Sequence, residues 1–260
     1  MTRLRWPWCI ALAATLGLAS CADDGGDLDV QLQRAERDYQ AGRQAEAIQS
    51  LNRIVEKSQS NAQRARALYV RGLARATSGD RRGAYLDLEK AASLAGKSDV
   101  GWKAQGVLGV MQFEDQRWTA AAGSLSTAID SMPTGPPMDA YLFRLGLCLE
   151  RTGRWREALT RYDRIVRQFP GGRYAELASR RLQLQAAHFA VQCGVFDRAS
   201  SAQAQVAQLR RDGFDAYTRQ EQRSGRTAHV VLVGRFGSYE QALETLRRVK
   251  GYVPDAVLWP

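Results

Sequence analysis

The spacing of the hydrophobic positions changes once along the chain, near Ala187. Between residues 28 and 186, apolar residues recur every three or four positions, which is typical of amphipathic helices. Beyond this point, apolar and other residues alternate in short runs such as 189–196, which is typical of strands. The pattern therefore predicts a helical region followed by a smaller region that combines strands and helices.

The helical region repeats with a period of 37 residues. Four columns agree in every copy. The first column holds a small residue (Ala35, Gly72, Gly109, Gly146) and the second a turn residue (Gly42, Gly79, Gln116, Gly153). The third holds an alanine (Ala47, Ala84, Ala121, Ala158) and the fourth a bulky residue (Leu51, Leu88, Leu125, Tyr162). The small residue lets the first helix of a copy approach the second, and the bulky residue fills the space between them. Pro133 and Pro170 are expected to end the second helix of copies three and four. We predict stacked helix–turn–helix units over 28–170 and a capping helix within 171–186.

These units resemble the tetratricopeptide repeat (TPR), most closely in the fourth copy, where the matching residues are Leu142, Leu145, Gly146, Gly153, Ala158, Tyr162 and Pro170. The chain departs from the family at Arg34 and Arg71, where leucine is usual. The resemblance implies a helical solenoid that binds a protein partner in a concave groove lined by Tyr39, Arg66, Tyr69, Lys103, Phe113 and Phe143. The alternative, equally weighted, is that the aromatic members pack between repeats. Trp118 and Trp155 are expected to pack.

The last 74 residues predict the order βαββαβ. Strands are expected at 189–196, 216–220, 228–236 and 255–259, and helices at 199–211 and 239–250, with Ser238 as an N-cap. This order favours a ferredoxin-like domain, an antiparallel four-stranded sheet with both helices on one face.

Two segments of this region, 40 residues apart, share the pattern V-x-x-G-x-F, at 191–196 and 231–236. With this pattern and the element order, residues 187–260 resemble the SPOR (sporulation-related repeat) domain. The resemblance implies binding to bacterial peptidoglycan, with a preference for glycan strands that have lost their stem peptides, as at division septa. Val230 and Leu232 depart from the family, in which many members carry polar or basic residues there.

Strand alternation assigns side chains to the two faces of the predicted sheet. Apolar residues are expected to face the helices: Val191, Cys193, Val195, Val231 and Val233. The open face is then expected to carry the glycan-binding residues Gln192, Tyr217, Arg219 and Trp259. Aromatic rings stack on the C–H edges of sugars, an amide serves hydroxyl groups, and arginine pairs with a carboxylate. A solvated glutamine and a packed tryptophan are the alternatives.

The N-terminus has the pattern of a targeting segment. Arg3 and Arg5 precede an apolar run of 13 residues, 6–18, which at about 1.5 Å per residue is too short for a hydrocarbon core of about 30 Å. The run ends at Leu18-Ala19-Ser20-Cys21, which resembles a bacterial lipobox and implies cleavage before Cys21 and lipidation of that residue. An ordinary signal peptide is the alternative. Residues 21–27 are expected to form a tether, and Ala22 resembles the outer-membrane sorting pattern.

Charge and composition exclude two other classes of function. The net charge of +10 invites a nucleic-acid interpretation, but the first and third strands lack the exposed aromatics of an RNA-recognition module, and the signal segment directs the chain away from RNA. Catalysis is not expected, because no catalytic motif is present and His188 and His229 would lie at opposite ends of the sheet.

No metal or cofactor is expected. Cys148 and Cys193 are expected to be buried free thiols, with an inter-domain disulfide as the alternative.

We therefore expect a non-catalytic, lipid-anchored envelope protein that faces the periplasm, at the outer membrane. Its C-terminal domain would bind peptidoglycan while the repeats recruit an envelope or division protein, in cell division or wall remodelling. The alternative is a general envelope assembly scaffold in which the C-terminal domain serves only as a wall tether.

Overall fold

The computed structural model describes residues 24–223 and 225–260, so the predicted signal segment and Cys21 lie outside the described residues. Its first region is formed by the helices α1 (Asp24–Gln40), α2 (Gln44–Lys57), α3 (Asn61–Ser78), α4 (Arg81–Ala95), α5 (Asp99–Glu114), α6 (Trp118–Ser131), α7 (Met138–Arg151), α8 (Trp155–Gln168) and α9 (Ala175–Leu184). Because α1 begins at Asp24, the second half of the segment expected as a tether is helical. Among the described residues, no helix combines the length and the apolar character needed to cross a bilayer.

The repeat columns form the contact between the two helices of each copy. A Cβ atom added to Gly72 would lie 2.8 Å from Leu88 Cγ, and one added to Gly109 would lie 2.6 Å from Leu125 Cγ. In the fourth copy, a Cβ on Gly146 would lie 2.4 Å from Tyr162 Cε1. The small residue therefore makes room for the bulky one, as the sequence predicts. The alanine column is buried in every copy, at Ala47, Ala84, Ala121 and Ala158.

The turn between the two helices of each copy has a left-handed residue at the same column. Gly42, Gly79 and Gly153 have φ values of 78°, 90° and 75°. Gln116 occupies the column in the third copy with a φ of 59°, which strains a residue that has a side chain. The second helices of copies three and four, α6 and α8, end before Pro133 and Pro170.

The repeat interior also holds a buried carboxylate. Asp87, whose side chain is 4% exposed, accepts hydrogen bonds from Arg71 Nε at 2.8 Å and from Arg75 Nη1 at 2.8 Å. Arg71 Nη1 also donates to Asn52 Oδ1 at 2.9 Å. The family prefers leucine at the position of Arg71. Here the charge of Arg71 is compensated by Asp87 on the neighbouring helix α4.

The second region consists of β1 (Phe189–Phe196), α10 (Ala199–Arg211), β2 (Ala216–Arg223), β3 (Arg226–Phe236), α11 (Tyr239–Val249) and β4 (Val257–Trp259). The strands form one sheet in the order β2-β3-β1-β4, and every neighbouring pair is antiparallel. Ser238 caps α11 by accepting from the Gln241 backbone N–H. The βαββαβ fold is therefore as the sequence predicts, although β2 and β3 are longer than expected and β4 is shorter.

The shared pattern V-x-x-G-x-F has a steric origin. A Cβ on Gly234 would lie 2.1 Å from the ring of Phe236, and one on Gly194 would lie 2.7 Å from the ring of Phe196. Each phenylalanine thus packs over the glycine two residues before it. In β1 the pairing with β3 also shifts between Gln192 and Gly194, which is a β-bulge.

Candidate functional site

The sheet of the second region has two different faces. The helices α10 and α11 cover one face, where Val191, Cys193, Val231 and Val233 pack in an apolar cluster with residues such as Leu209. This side of the sheet is as the sequence predicts for these four residues. We call the opposite side the outer face; it carries Ala190, Gln192, Val195, Tyr217, Arg219, Glu221, Val230, Leu232, Val257 and Trp259.

Strand pairing brings the predicted glycan-binding residues onto the outer face. Gln192 is paired with Leu232 of β3 and Val257 of β4, and Leu232 is in turn paired with Tyr217 of β2. Arg219 follows Tyr217 by two positions, so its side chain is on the same face. Trp259 is paired with Ala190, two positions before Gln192.

Trp259 is not open to solvent, which corrects the expectation for this residue. Its side chain joins an apolar cluster with Ala186, Ala190, Val230 and Leu232, and only 3% of the residue is exposed. The indole therefore covers the two apolar positions at which the chain departs from the family. Strand alternation alone assigns a side chain to a face but does not show whether another part of the chain covers it.

Polar contacts hold Trp259 across the sheet. Its Nε1 donates to Glu221 Oε1 on β2 at 2.8 Å, and the guanidinium carbon of Arg219 lies 4.8 Å from the ring centroid. Arg219 also donates from Nη2 to the carbonyl oxygen of Leu184, at the end of α9. Arg219 is thus positioned by groups of this chain on two sides.

Tyr217 contacts the segment that leads into β1. The hydroxyl of Tyr217 and Nε2 of His188 are 3.1 Å apart, and the Arg235 guanidinium lies 4.5 Å from the Tyr217 ring centroid. His188 also lies beside Trp259, with ring centroids 5.7 Å apart. Burial, and then the positive charges of Arg235 and Arg219, hold the pKa of His188 below its usual value.

One end of the outer face remains accessible. Val257 and Val195 are 48% and 40% exposed, and Gln192 next to them is half-buried. Val195 was expected to face the helices, which is wrong, because the bulge after Gln192 brings it opposite Val230 on the outer face. A bulge changes side-chain alternation without a periodic signal in the sequence.

A second group of residues, which sequence reasoning did not assign to a site, joins the repeats to the C-terminal region. We call it the junction; it consists of Trp118, Arg151 and Trp155 from the repeats and Phe189 and Tyr239 from the C-terminal region. The Arg151 guanidinium lies 3.9 Å from the Tyr239 ring centroid and 5.5 Å from that of Phe189. The ring centroids of Trp155 and Phe189 are 4.7 Å apart, and Trp155 also packs against the apolar cluster around Trp259 on the outer face. The recurrence of tryptophan at 118 and 155 was the available signal, and both residues pack as expected.

The predicted partner groove contains mainly packed aromatics. The rings of Phe113 and Trp118 meet edge to face with their centroids 5.4 Å apart, and Phe143 stacks on Tyr174 with a centroid distance of 5.2 Å. Tyr39 and Tyr69 are partly buried against the first repeats, and burial raises the pKa of both hydroxyls. These four contacts favour the packing alternative for the aromatic members.

The two cations of the predicted groove are partnered but partly accessible. Arg66 forms two 2.6 Å hydrogen bonds with Glu36, and Lys103 contacts Asp99 at 2.5 Å. A cleft of about 1380 Å³ opens beside Arg66, between the start of α1 and the loops that precede α3 and α5. Its lining combines apolar side chains such as Leu28 and Leu94 with polar ones such as Asp29, Gln63 and Asp99.

The cysteines and acidic residues offer no site for a metal in the described part of the chain, where no cluster of three potential ligands occurs. Cys148 and Cys193 are buried and free, as expected. Burial raises the pKa of Cys148 to about 12 and that of Cys193 to about 11, so both stay protonated and unreactive near neutral pH.

Comparison with known families gives one matching family model in each of the two regions of the chain. The family model of the SPOR domain matches residues 185–259, and the tetratricopeptide repeat model matches residues 140–172. The chain therefore contains a SPOR domain, from a family that binds peptidoglycan, and TPR-like repeats, which serve protein interaction. Both are non-catalytic binding modules.

Among solved structures, a Podosopora anserina chain named as a kinesin light chain with nearly identical TPR-like repeats is 16% identical, with a TM-score of 0.50 over 63% of this chain and 87% of that one. MamA AMB-1 is 20% identical, with a TM-score of 0.49 over 62% of this chain and 82% of that one. The similarity to the Podosopora anserina chain supports the repeat fold and nothing beyond the fold. A search of curated proteins finds no match to this chain.

Proposed function

We propose that the SPOR domain of this protein binds denuded peptidoglycan glycan strands, as found at division septa, through the outer face of its sheet. The observation that carries the proposal is the position of Gln192. It lies on the face opposite the two helices, beside the accessible side chains of Val195 and Val257. An amide both donates to and accepts from sugar hydroxyls, and the two valines offer an apolar surface to the C–H edges of a sugar ring.

Arg219 adds charge complementarity to this face. A muramic residue without its stem peptide keeps a free lactyl carboxylate, which a guanidinium binds through paired hydrogen bonds. The net charge of +10, which becomes +8 when Arg3 and Arg5 leave with the signal segment, also favours association with an anionic cell wall. In this proposal Gln192 and Arg219 bind polar groups of the glycan and Tyr217 offers its ring, whereas Trp259, which is 3% exposed, offers its ring only when the residues that cover it move away.

The test is co-sedimentation of the full-length protein with purified sacculi, either untreated or treated briefly with an amidase, so that part of the stem peptides is removed and the sacculi still sediment. We expect tighter binding to the treated sacculi. Gln192→Ala should weaken that binding at least fivefold, because a hydrogen bond lost from a desolvated amide corresponds to about 1–3 kcal/mol.

The matched control is Gln220→Ala, the same substitution at an exposed position of β2 whose side chain is on the opposite side of the sheet. It should bind like the wild type. Equal binding by both variants, with both folded, would reject Gln192 as a glycan-binding residue.

We further propose that the repeats bind an envelope or division protein at the cleft beside Arg66, in cell division or wall remodelling. A photo-crosslinking residue at Gln63, which lines the cleft, is expected to capture one defined protein in growing cells. The same residue at Gly123, exposed on α6, is the control and should not capture it. Identical capture patterns at the two positions would contradict the assignment.

The proposed setting is the periplasmic side of the outer membrane, with a lipid anchor on Cys21. This part rests on the lipobox-like sequence and on Ala22. Labelled palmitate should be incorporated by the wild type and not by Cys21→Ala. A fluorescent fusion should concentrate at midcell; a uniform envelope signal would instead favour the assembly scaffold that uses the SPOR domain only as a tether.

A further inference from the structure

The outer face of the SPOR domain is already occupied by other residues of this chain. Leu184, the last residue of α9, and Ala186, between α9 and β1, pack with Val230, Leu232 and Trp259. Trp155, from the start of α8, packs against the same cluster. The segment 184–188 and one repeat helix therefore lie where the proposed ligand would bind.

This occupation involves Arg219, Tyr217 and Trp259 of the predicted glycan-binding residues. Arg219 donates to the Leu184 carbonyl oxygen, and the Tyr217 hydroxyl contacts His188. Trp259 is buried beneath this segment. A glycan strand therefore meets only the end of the face that holds Gln192, Val195 and Val257 unless the segment moves.

The contact between the two regions depends on side chains and little on the backbone. No helix of the repeats runs alongside a strand or helix of the SPOR domain in extended backbone contact, as far as the described residues show; one close backbone approach is that of Gly153 to the Gly237 carbonyl oxygen. Such limited contacts between domains permit relative motion. The junction is thus an interface that can separate without unfolding either region.

The central group of the junction, Arg151, is held incompletely. Its guanidinium is surrounded by the rings of Trp118, Phe189 and Tyr239, while its Nε finds no acceptor among the described residues. Cation–π contacts provide attraction, but a buried N–H without an acceptor opposes it. The closed arrangement is therefore stabilised only modestly.

We propose that the protein keeps its peptidoglycan-binding face closed with its own repeats, and that tight glycan binding requires the junction to open. This inference rests on the proposed function and concerns the regulation of the same site. Opening would expose the Trp259 ring and free the Arg219 guanidinium together, so that stacking and carboxylate binding become available in one step. When only a fraction of molecules is open, the apparent affinity is the affinity of the open form multiplied by that fraction.

The test compares junction variants of the full-length protein for binding to amidase-treated sacculi. Arg151→Ala removes the cation from the junction, and Trp155→Ala removes the indole that packs on the outer-face cluster. Both should bind at least fivefold more tightly than the wild type, because they raise the open fraction. Arg156→Ala is the matched control, since it removes one positive charge from an exposed position of α8 and should bind like the wild type.

A reversible crosslink provides the opposite test. A Cβ atom at Gly153 would lie 3.9 Å from the Gly237 carbonyl oxygen, so the pair Gly153→Cys and Gly237→Cys places one thiol on each side of a close approach between the two regions. The oxidised protein should bind treated sacculi more weakly than the same protein after reduction. The wild type, oxidised and reduced in parallel, controls for the other cysteines.

The outcomes separate this inference from the proposed function. Tighter binding by both junction variants, together with weaker binding by the crosslinked form, supports closure. If the wild type binds and neither the variants nor the crosslink change its affinity, closure is wrong and the proposed function stands. If no form binds, opened or closed, the proposed function is wrong and this inference fails with it. Circular dichroism establishes that each variant is folded.

Discussion

The helix contacts inside the repeats and the contacts at the junction are built in different ways. Inside the repeats, one arrangement recurs every 37 residues, with a glycine such as Gly109 making room for a bulky side chain such as Leu125. At the junction, single side chains such as Arg151 and Trp155 meet partners that occur only once. The comparison indicates which contacts hold the molecule together and which are able to separate.

The buried charges of the two regions show the same difference. Asp87, in the repeats, is bound by two guanidinium groups, whereas Arg151, at the junction, is held by ring faces and lacks an acceptor for Nε among the described residues. Removing one member of a compensated buried pair leaves the others unpaired, which is strongly destabilising. Removing an incompletely compensated cation has a smaller effect.

The largest expected effect is therefore that of Asp87→Ala. It should lower the free energy of unfolding by about 3 kcal/mol, because the half-buried Arg71 loses its partner. Urea denaturation followed by circular dichroism measures this change. The control is Asp163→Ala, which breaks an exposed pair with Arg167 and should change stability by less than about 0.5 kcal/mol. Equal effects would remove the distinction between the two regions.

A smaller loss is expected from crowding a repeat contact. Gly146→Ala places a Cβ atom 2.4 Å from the Tyr162 ring, and the overpacking should destabilise the protein by about 2 kcal/mol. Gly123→Ala, in α6, meets nothing within 4 Å and should stabilise it by about 0.5–1 kcal/mol through helix propensity. Opposite signs for the two substitutions would confirm the interlocked packing; the same sign would contradict it.

A gain in stability is expected where the third repeat departs from the glycine of the others. Gln116→Gly relieves the left-handed backbone at φ 59° and should stabilise the protein by about 0.5–1 kcal/mol, the relief being partly offset by the entropy of glycine in the unfolded chain. Gln116→Ala keeps the strain and serves as the control. If the two variants melt at the same temperature, backbone strain at this column has no effect on stability.

The smallest expected effect is a pH dependence of the closed contact. Because burial, and then the charges of Arg235 and Arg219, lower the pKa of His188, its protonation is disfavoured while it lies between Tyr217 and Trp259. The stabilisation is present above the usual histidine pKa of about 6.5 and is lost as the pH falls through the lowered value. The melting temperature of the wild type should therefore drop more between pH 7.5 and 5.5 than that of His188→Gln. Equal drops would contradict this role.

Much of the fold follows from the sequence because it depends on local periodicity. The repeat columns, the element order βαββαβ and the face that carries Gln192 all follow from the spacing of residues such as Gly146 and Val191. What could not be predicted depends on contacts without a period. Trp259 is buried by a segment 75 residues earlier in the chain, and Val195 changes face through a bulge.

Both the proposed function and the proposed regulation by the junction depend on glycan binding at the outer face of the SPOR domain. The direct measurement is amide hydrogen exchange of the full-length protein, with and without soluble glycan oligosaccharides released by amidase treatment. Binding at the outer face should slow exchange in β1 and β4 around Gln192 and Val257 and leave the repeats unprotected. Protection confined to α10, α11 or the repeats, or no protection at saturating oligosaccharide, would contradict it.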